Sequence, residues 1–189
     1  MIRRGLVLPV AVALVATAPR VHGDLIARTD IEQAMSGIDY QPDRAELEQL
    51  LAGNLATLVV LADNSGTAPG IRLRSYRALG RFDSDLARSA LTAAIARFSD
   101  DPEPTNQLFL IAALEGLGDN GGAAAVPVLA SQLNHALQDV RAAATRALAA
   151  TNSAAACPYI GRNPDDPSPQ VNAALDEAKI ALTEKCLDP

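Results

Sequence analysis

The side chains richest in chemistry in this 189-residue chain are two cysteines, Cys157 and Cys186, and two histidines, His22 and His135. A nucleophilic thiol needs a base beside it, and a zinc centre of the usual kind needs three or four His or Cys ligands. Two cysteines in an exported protein read first as a disulfide. Closing the loop between Cys157 and Cys186 would stabilise the fold by roughly 3–4 kcal/mol in the chain-entropy model. Two buried free thiols are the alternative, since only spatial proximity decides. A Cys–His nucleophile would require His135 beside one of the pair.

Other chemical motifs are missing. The chain has no G-x-S-x-G elbow, no H-E-x-x-H and no P-loop. Residues 116–121, Gly-Leu-Gly-Asp-Asn-Gly, spell G-x-G-x-x-G. They follow a helical pattern rather than a strand, so they read as a helix C-cap and turn. The acidic turns Asp83/Asp85, Asp100/Asp101/Glu103 and Asp165/Asp166 lack the alternating ligands of a calcium loop and read as helix N-caps. His135 reads as a turn residue. The expectation is a chain that is not an enzyme, with no catalytic residue, no cofactor and no metal site.

One surface feature stands out. Arg74, Arg77 and Arg81 fall at i, i+3 and i+7 and share one helix face, with Arg88 near. The chain has 16 basic and 22 acidic residues, a net charge of −6, so these arginines form a local positive patch. Guanidinium groups suit carboxylates or phosphates of a partner. The structural alternative, and the favoured one, pairs them with Asp63, Asp83 and Asp85 across the junctions between elements.

These residues must be carried by helices. Aromatic residues make up 3% of the chain, with no Trp, which disfavours an all-β sandwich or barrel. Leu47, Leu50, Leu51, Leu55, Leu58, Val59 and Ala62 recur at steps of three and four and predict one amphipathic helix. Further helices are expected over 70–82, 86–98, around Leu108–Leu114, over 123–133 and over 137–150. Ser153 caps a short segment to Ile160, and Ser168-Pro169 opens a last helix to about Leu187. Gly116 to Gly122 is expected to be a turn. No stretch alternates like a strand, so no sheet is predicted.

Residues 1–23 have the form of a secretory leader. Arg3 and Arg4 precede an uncharged apolar run from Leu6 to Ala18, too short for a bilayer span but suited to a signal peptide. Cleavage is expected near Gly23, giving an exported product, periplasmic or extracellular, with no stable membrane insertion. Loss of Arg3, Arg4 and Arg20 would leave 13 basic and 22 acidic residues, a net of −9. An acidic chain of this kind lacks the basic face that nucleic-acid binding requires. The domain plan is therefore leader 1–23, an N-terminal capping helix over 24–41 around Ile31, Ala34 and Met35, and a helical domain over 42–187.

The helices have a period. Ala78-Leu79, Gly116-Leu117, Ala147-Leu148 and Ala181-Leu182 lie 38, 31 and 34 residues apart, the spacing of stacked helical hairpins. The stretches Ile71-Arg72-Leu73-Arg74-Ser75-Tyr76-Arg77-Ala78-Leu79-Gly80 and Val140-Arg141-Ala142-Ala143-Ala144-Thr145-Arg146-Ala147-Leu148-Ala149 share the pattern V/I-R-x-x-A/S-x-x-A-L-G/A. This resembles the second helix of a HEAT repeat, over about residues 43–187. The second unit departs from it at Leu110, where Arg would stand, and the fourth at Ala174.

The resemblance implies an all-α fold, a short right-handed α-solenoid of about four stacked hairpins. In it Arg72 and Arg141 would reach a loop Asp or carbonyl of a neighbouring repeat. It also implies a non-enzymatic scaffold for an unknown protein partner. The phycobilin-lyase branch of HEAT-like proteins offers a tetrapyrrole-handling enzyme as a second reading. A self-associating envelope component is a third, although the clamped, acidic C-terminal end favours a monomer.

Overall fold

The computed structural model describes residues 21–37, 41–161 and 166–187, and every regular element among them is helical. The expected leader lies outside the described residues except for its last three, which form the first turn of α1 (Val21–Ser36). The N-terminal helix expected over 24–41 thus starts earlier and stops at Ser36, with Ile31 and Met35 buried.

The single helix expected over 47–62 is two. Helix α2 (Arg44–Leu51) opens on a capping box: Asp43 Oδ1 accepts from the Glu46 amide at 2.9 Å, and Glu46 Oε2 accepts from the Asp43 amide at 2.8 Å. Ala52 then takes a left-handed conformation (φ +46°) and Gly53 follows at φ +83°. The chain turns through 97° into α3 (Ala56–Asp63). The apolar spacing survives the bend because both arms face one core: Leu47, Leu51, Leu58 and Leu61 are all buried.

Next come α4 (Pro69–Leu79), α5 (Asp85–Phe98), α6 (Pro104–Ser131), α7 (Gln138–Ala150), α8 (Cys157–Gly161), α9 (Pro169–Ala181) and α10 (Thr183–Leu187). Pro69, Pro104 and Pro169 stand at the first helical position, where a missing N–H costs nothing. The last helix, expected to run unbroken to about Leu187, is interrupted at Leu182.

The glycine run is a further departure from expectation. Gly116 to Gly121 are helical, and only Gly122 (φ +46°, ψ −151°) leaves the helix, bending α6 into arms 104–121 and 123–131. Gly116 and Gly118 serve close approach instead. A Cβ on Gly116 would stand 2.6 Å from the Tyr76 carbonyl oxygen, and one on Gly118 would stand 2.6 Å from that of Ala147. Backbone therefore meets backbone where α6 passes α4 and α7.

The helices form two layers. In one, α4, the first arm of α6, α7 and α9 pack in succession. In the other, α3 and α5 lie side by side, joined by Arg97 and Asp63 at 3.1 Å. The second arm of α6 carries the second layer on to the short segment before α8. One apolar core runs between the layers from Ile31 to Leu182. Near its start Tyr76, Phe98 and Phe109 cluster with ring centroids 5.7–6.3 Å apart. Cys157 on α8 and Cys186 on α10 form a disulfide, with Cα atoms 5.6 Å apart. Each repeat thus buries its apolar side on its neighbours, and the last is tied to itself. Among the described residues no single helix is long and apolar enough to cross a membrane.

Candidate functional site

The outward side of the layer α4–α6–α7–α9 gathers the charged residues of four consecutive hairpins. Helix α4 and its C-terminal turn, residues 69–82, hold Arg72, Arg74, Arg77 and Arg81 and no acid. Spacing of seven residues puts Arg74 and Arg81 about 10 Å apart along one helix face. On the first arm of α6 the same arithmetic puts Leu108, Glu115 and Asp119 in line, and Leu108 is 52% exposed.

The arginine row does not pair with Asp63, Asp83 and Asp85 as expected. Arg77 Nε donates to Glu115 Oε2 at 2.5 Å, joining α4 to α6. Arg74 Nε donates to the Met35 carbonyl, the C-terminal turn of α1. Arg81 donates to the Pro42 carbonyl and, at 3.3 Å, to Gln41 Oε1. The three aspartates serve other cations: Asp63 binds Arg97, while Asp83 and Asp85 hold Arg88 at 3.2 and 2.6 Å. Arg88 thus belongs to α5 and not to the row. The reason is directional, since Asp63 ends α3 on the side of the core-facing Tyr76, away from the face that carries Arg74 and Arg81.

Further along the row Arg146 of α7 meets Glu177 of α9 at 3.3 Å. Gln41, Arg77, Arg81, Glu115, Asp119 and Arg146 wall a trough of about 350 Å³ whose floor is Ala147 and Ala150. Desolvation in this trough, with repulsion from Glu115, pushes the Asp119 carboxyl above its ordinary value, and Arg81 opposes the shift.

The two signature arginines turn inward to neighbouring elements. Arg72 Nε donates to the Ala62 carbonyl at 2.9 Å, and its guanidinium lies 4.2 Å from the centroid of the Phe109 ring. Arg141 grips Asp166 of the following loop with Nε at 2.8 Å and Nη2 at 2.7 Å, and donates to the His135 carbonyl at 2.9 Å. Asp166 belongs to the loop of the following repeat, whereas the Ala62 and His135 carbonyls lie just before the helix that carries each arginine.

A wider groove of about 550 Å³ lies by the turns Ser99–Pro102 and Ser131–Leu137. Its histidine is engaged at both ring nitrogens. His135 Nδ1 accepts from the Leu137 amide at 3.1 Å, which leaves Nε2 as the donor to the Ser99 carbonyl at 2.8 Å. It ties two loops together and reaches neither cysteine, both of which are in the disulfide. Among the described residues no three His, Cys, Asp or Glu side chains gather closely enough to hold a metal ion.

Sequence reasoning found the arginine row and missed the acidic wall. Asp119 sits within the run 116–122 expected to form a turn, and Glu115 directly precedes it, so a turn there would not have continued the helix face that carries both.

Comparison with known proteins agrees with this geometry. Residues 93–178, from the middle of α5 to the end of α9, match the family model of HEAT repeats. A search of the curated proteins finds no match. The α4 stretch lies before the matched region, yet it packs in the same layer as α6, α7 and α9. HEAT repeats in general serve as scaffolds for protein–protein interaction. The two-layered stack and the matched region together show an all-α solenoid whose residues 93–178 are HEAT repeats.

Proposed function

We propose that this protein is an exported, non-enzymatic scaffold that holds a protein partner on the outward face of the α4–α6–α7–α9 layer. The observation that carries the reading is the continuity of that face. Four successive helices present charged and apolar side chains on one side, from Arg77 and Glu115 to Leu108 and Arg146. A rigid row of this kind binds by shape and by charge arrangement. Export rests on the form of residues 1–23 and is supported by the disulfide, a bond favoured in oxidising compartments.

The test is affinity capture from the native envelope fraction, read by mass spectrometry. The wild-type chain is compared with a variant carrying Leu108→Glu and Arg146→Glu, both on exposed positions. Loss of a reproducibly captured protein from a variant with unchanged melting supports the reading. Unchanged capture overturns it.

A further inference from the structure

The groove of about 550 Å³ between the turns Ser99–Pro102 and Ser131–Leu137 holds hydrogen-bond acceptors that the chain itself does not use. Gln132 stands in its wall and is only 9% exposed. The neighbouring serine fixes the orientation of its amide. Ser131 Oγ gives its one proton to the Val128 carbonyl at 2.7 Å, so towards Gln132, at 3.0 Å, it can only accept. The atom facing Ser131 is therefore Nε2, and Gln132 Oε1 is left without a donor and open to the groove. A nearly buried amide oxygen without a donor is costly, which marks a place where a ligand's donor is wanted.

The rest of the wall has the same character. Gln107 Nε2 donates to the Pro102 carbonyl at 3.3 Å, and its Oε1 has no donor among the described residues. Asp100 is exposed and makes no hydrogen bond or ion pair among them. The carboxylate of Asp101 accepts from the Glu103 amide and from Asn106 Nδ2, both at 2.9 Å. His135 brings neither charge nor free donor, because both ring nitrogens are engaged. Among the described residues no lysine or arginine lines the groove.

We infer that this groove takes an arginine side chain borne on a peptide segment, its guanidinium donating to Gln132 Oε1, Gln107 Oε1 and Asp100. A guanidinium offers five N–H donors in a planar fork and is weakly hydrated, so it can leave water for a buried neutral oxygen and one carboxylate. An ammonium is compact and strongly hydrated and loses more on entering. A cavity of this size has room for the side chain and the backbone that carries it. The inference goes beyond the scaffold reading, because it concerns the turns between hairpins and not the outward face of the α4–α6–α7–α9 layer.

The experiment follows the full chain by nuclear magnetic resonance while acetyl-Gly-Arg-Gly-amide is added. Control peptides carry citrulline, the uncharged isostere of arginine, or lysine in its place. The arginine peptide is expected to bind in the millimolar range, with saturable shifts of the Gln132 and Gln107 side-chain amide groups. The lysine peptide should bind at least fivefold more weakly, and the citrulline peptide not at all. Gln132→Met keeps the volume and removes the acceptor, and it should weaken binding about tenfold, as loss of one hydrogen bond to a charged group does. Asp100→Asn should weaken it about fivefold. Glu184→Gln, which removes the same charge outside the groove, should stay within twofold.

If Gln132→Met melts early, Asp100→Asn decides, since that side chain holds nothing in the fold. Arg162, outside the described residues, is varied as well, and Arg162→Gln should leave the affinity within twofold. A gain of fivefold or more would mean that the chain supplies its own guanidinium, and the inference would fall. It falls equally if the wild-type chain shows no saturable shift, or if the lysine or citrulline peptide matches the arginine one. Wild-type affinity in both groove variants, or binding of methylguanidinium alone as tight as that of the peptide, would also overturn it.

Discussion

Arg141 and Asp166, 25 residues apart, form a bidentate pair in which both side chains are only about one-seventh exposed, at 14% and 13%. The pair joins the first turn of α7 to the loop before α9, and the same carboxylate accepts from the Ser168 amide at 2.8 Å. Asp166 thereby anchors the start of the last repeat, at the position where Ser168 itself makes no side-chain cap bond.

Replacing Asp166 by Asn should cost about 2 kcal/mol at neutral pH, through loss of hydrogen bonds to a charged group. The Arg141 hydrogen bonds, followed by that of the Ser168 amide, hold the Asp166 carboxyl below its ordinary range. The contribution is therefore present above the unfolded Asp value near 4 and is lost as pH falls through the lower folded value. Melting curves of wild type and Asp166→Asn should differ clearly at pH 7 and converge as pH falls well below the ordinary Asp range. A gap that stays constant with pH would contradict the assignment.

Gly118 is the second test, because its backbone lies against α7. A methyl group there would stand 2.6 Å from the Ala147 carbonyl oxygen, so the helices must separate. Gly118→Ala should destabilise by about 1–3 kcal/mol, against the usual helical preference for Ala. Gly161→Ala is the control: nothing lies within 4 Å of its Cβ, and it should be neutral or gain up to about 1 kcal/mol. Denaturant midpoints of the two variants decide the matter, and a neutral Gly118→Ala would mean that α6 and α7 do not touch there.

These glycines also show what could and could not be read from the chain. The hairpin plan was legible because Leu, Ile and Ala recur at helical spacing and prolines open the helices. The Arg141 contact was implied by the resemblance to HEAT repeats, and the cysteine pair was suggested by the Cys count. The run 116–122 was misread because glycine disfavours helices in isolation, and only a neighbouring backbone explains Gly116 and Gly118 in one. The bend after Leu51 was masked by an apolar spacing that continues through it, although Gly53-Asn54 marks the turn and Gly53 adopts φ +83°. The partners of Arg74 and Arg81 are backbone oxygens 39 residues away, and no residue type announces a carbonyl.

Tyr76 supplies a prediction at alkaline pH. Its ring is fully buried and its hydroxyl donates to Asp63 Oδ1 at 2.8 Å. Burial first, then the Asp63 hydrogen bond, pushes the phenol well above its ordinary value near 10. A raised folded value means that the contribution is present below pH 10 and is lost as pH rises towards the folded value. Ultraviolet titration should show Tyr76, read as the signal lost in Tyr76→Phe, ionising only well above pH 10. Stability should fall above pH 10 in the wild type and less steeply in Tyr76→Phe. A Tyr76 signal that titrates near pH 10 would contradict the buried hydrogen bond.

The central claim is that the repeats form a row in which each is supported by its neighbours alone, and hydrogen exchange after reduction of Cys157–Cys186 tests it most directly. The bridge closes a 29-residue separation around α8 to α10, and its loss should cost roughly 3–4 kcal/mol. In a linear stack that loss stays local. Exchange should rise strongly in α8, α9 and α10, modestly in α7, and not at all in α3 and α4. A uniform rise along the whole chain would show a single closed core and contradict the stack.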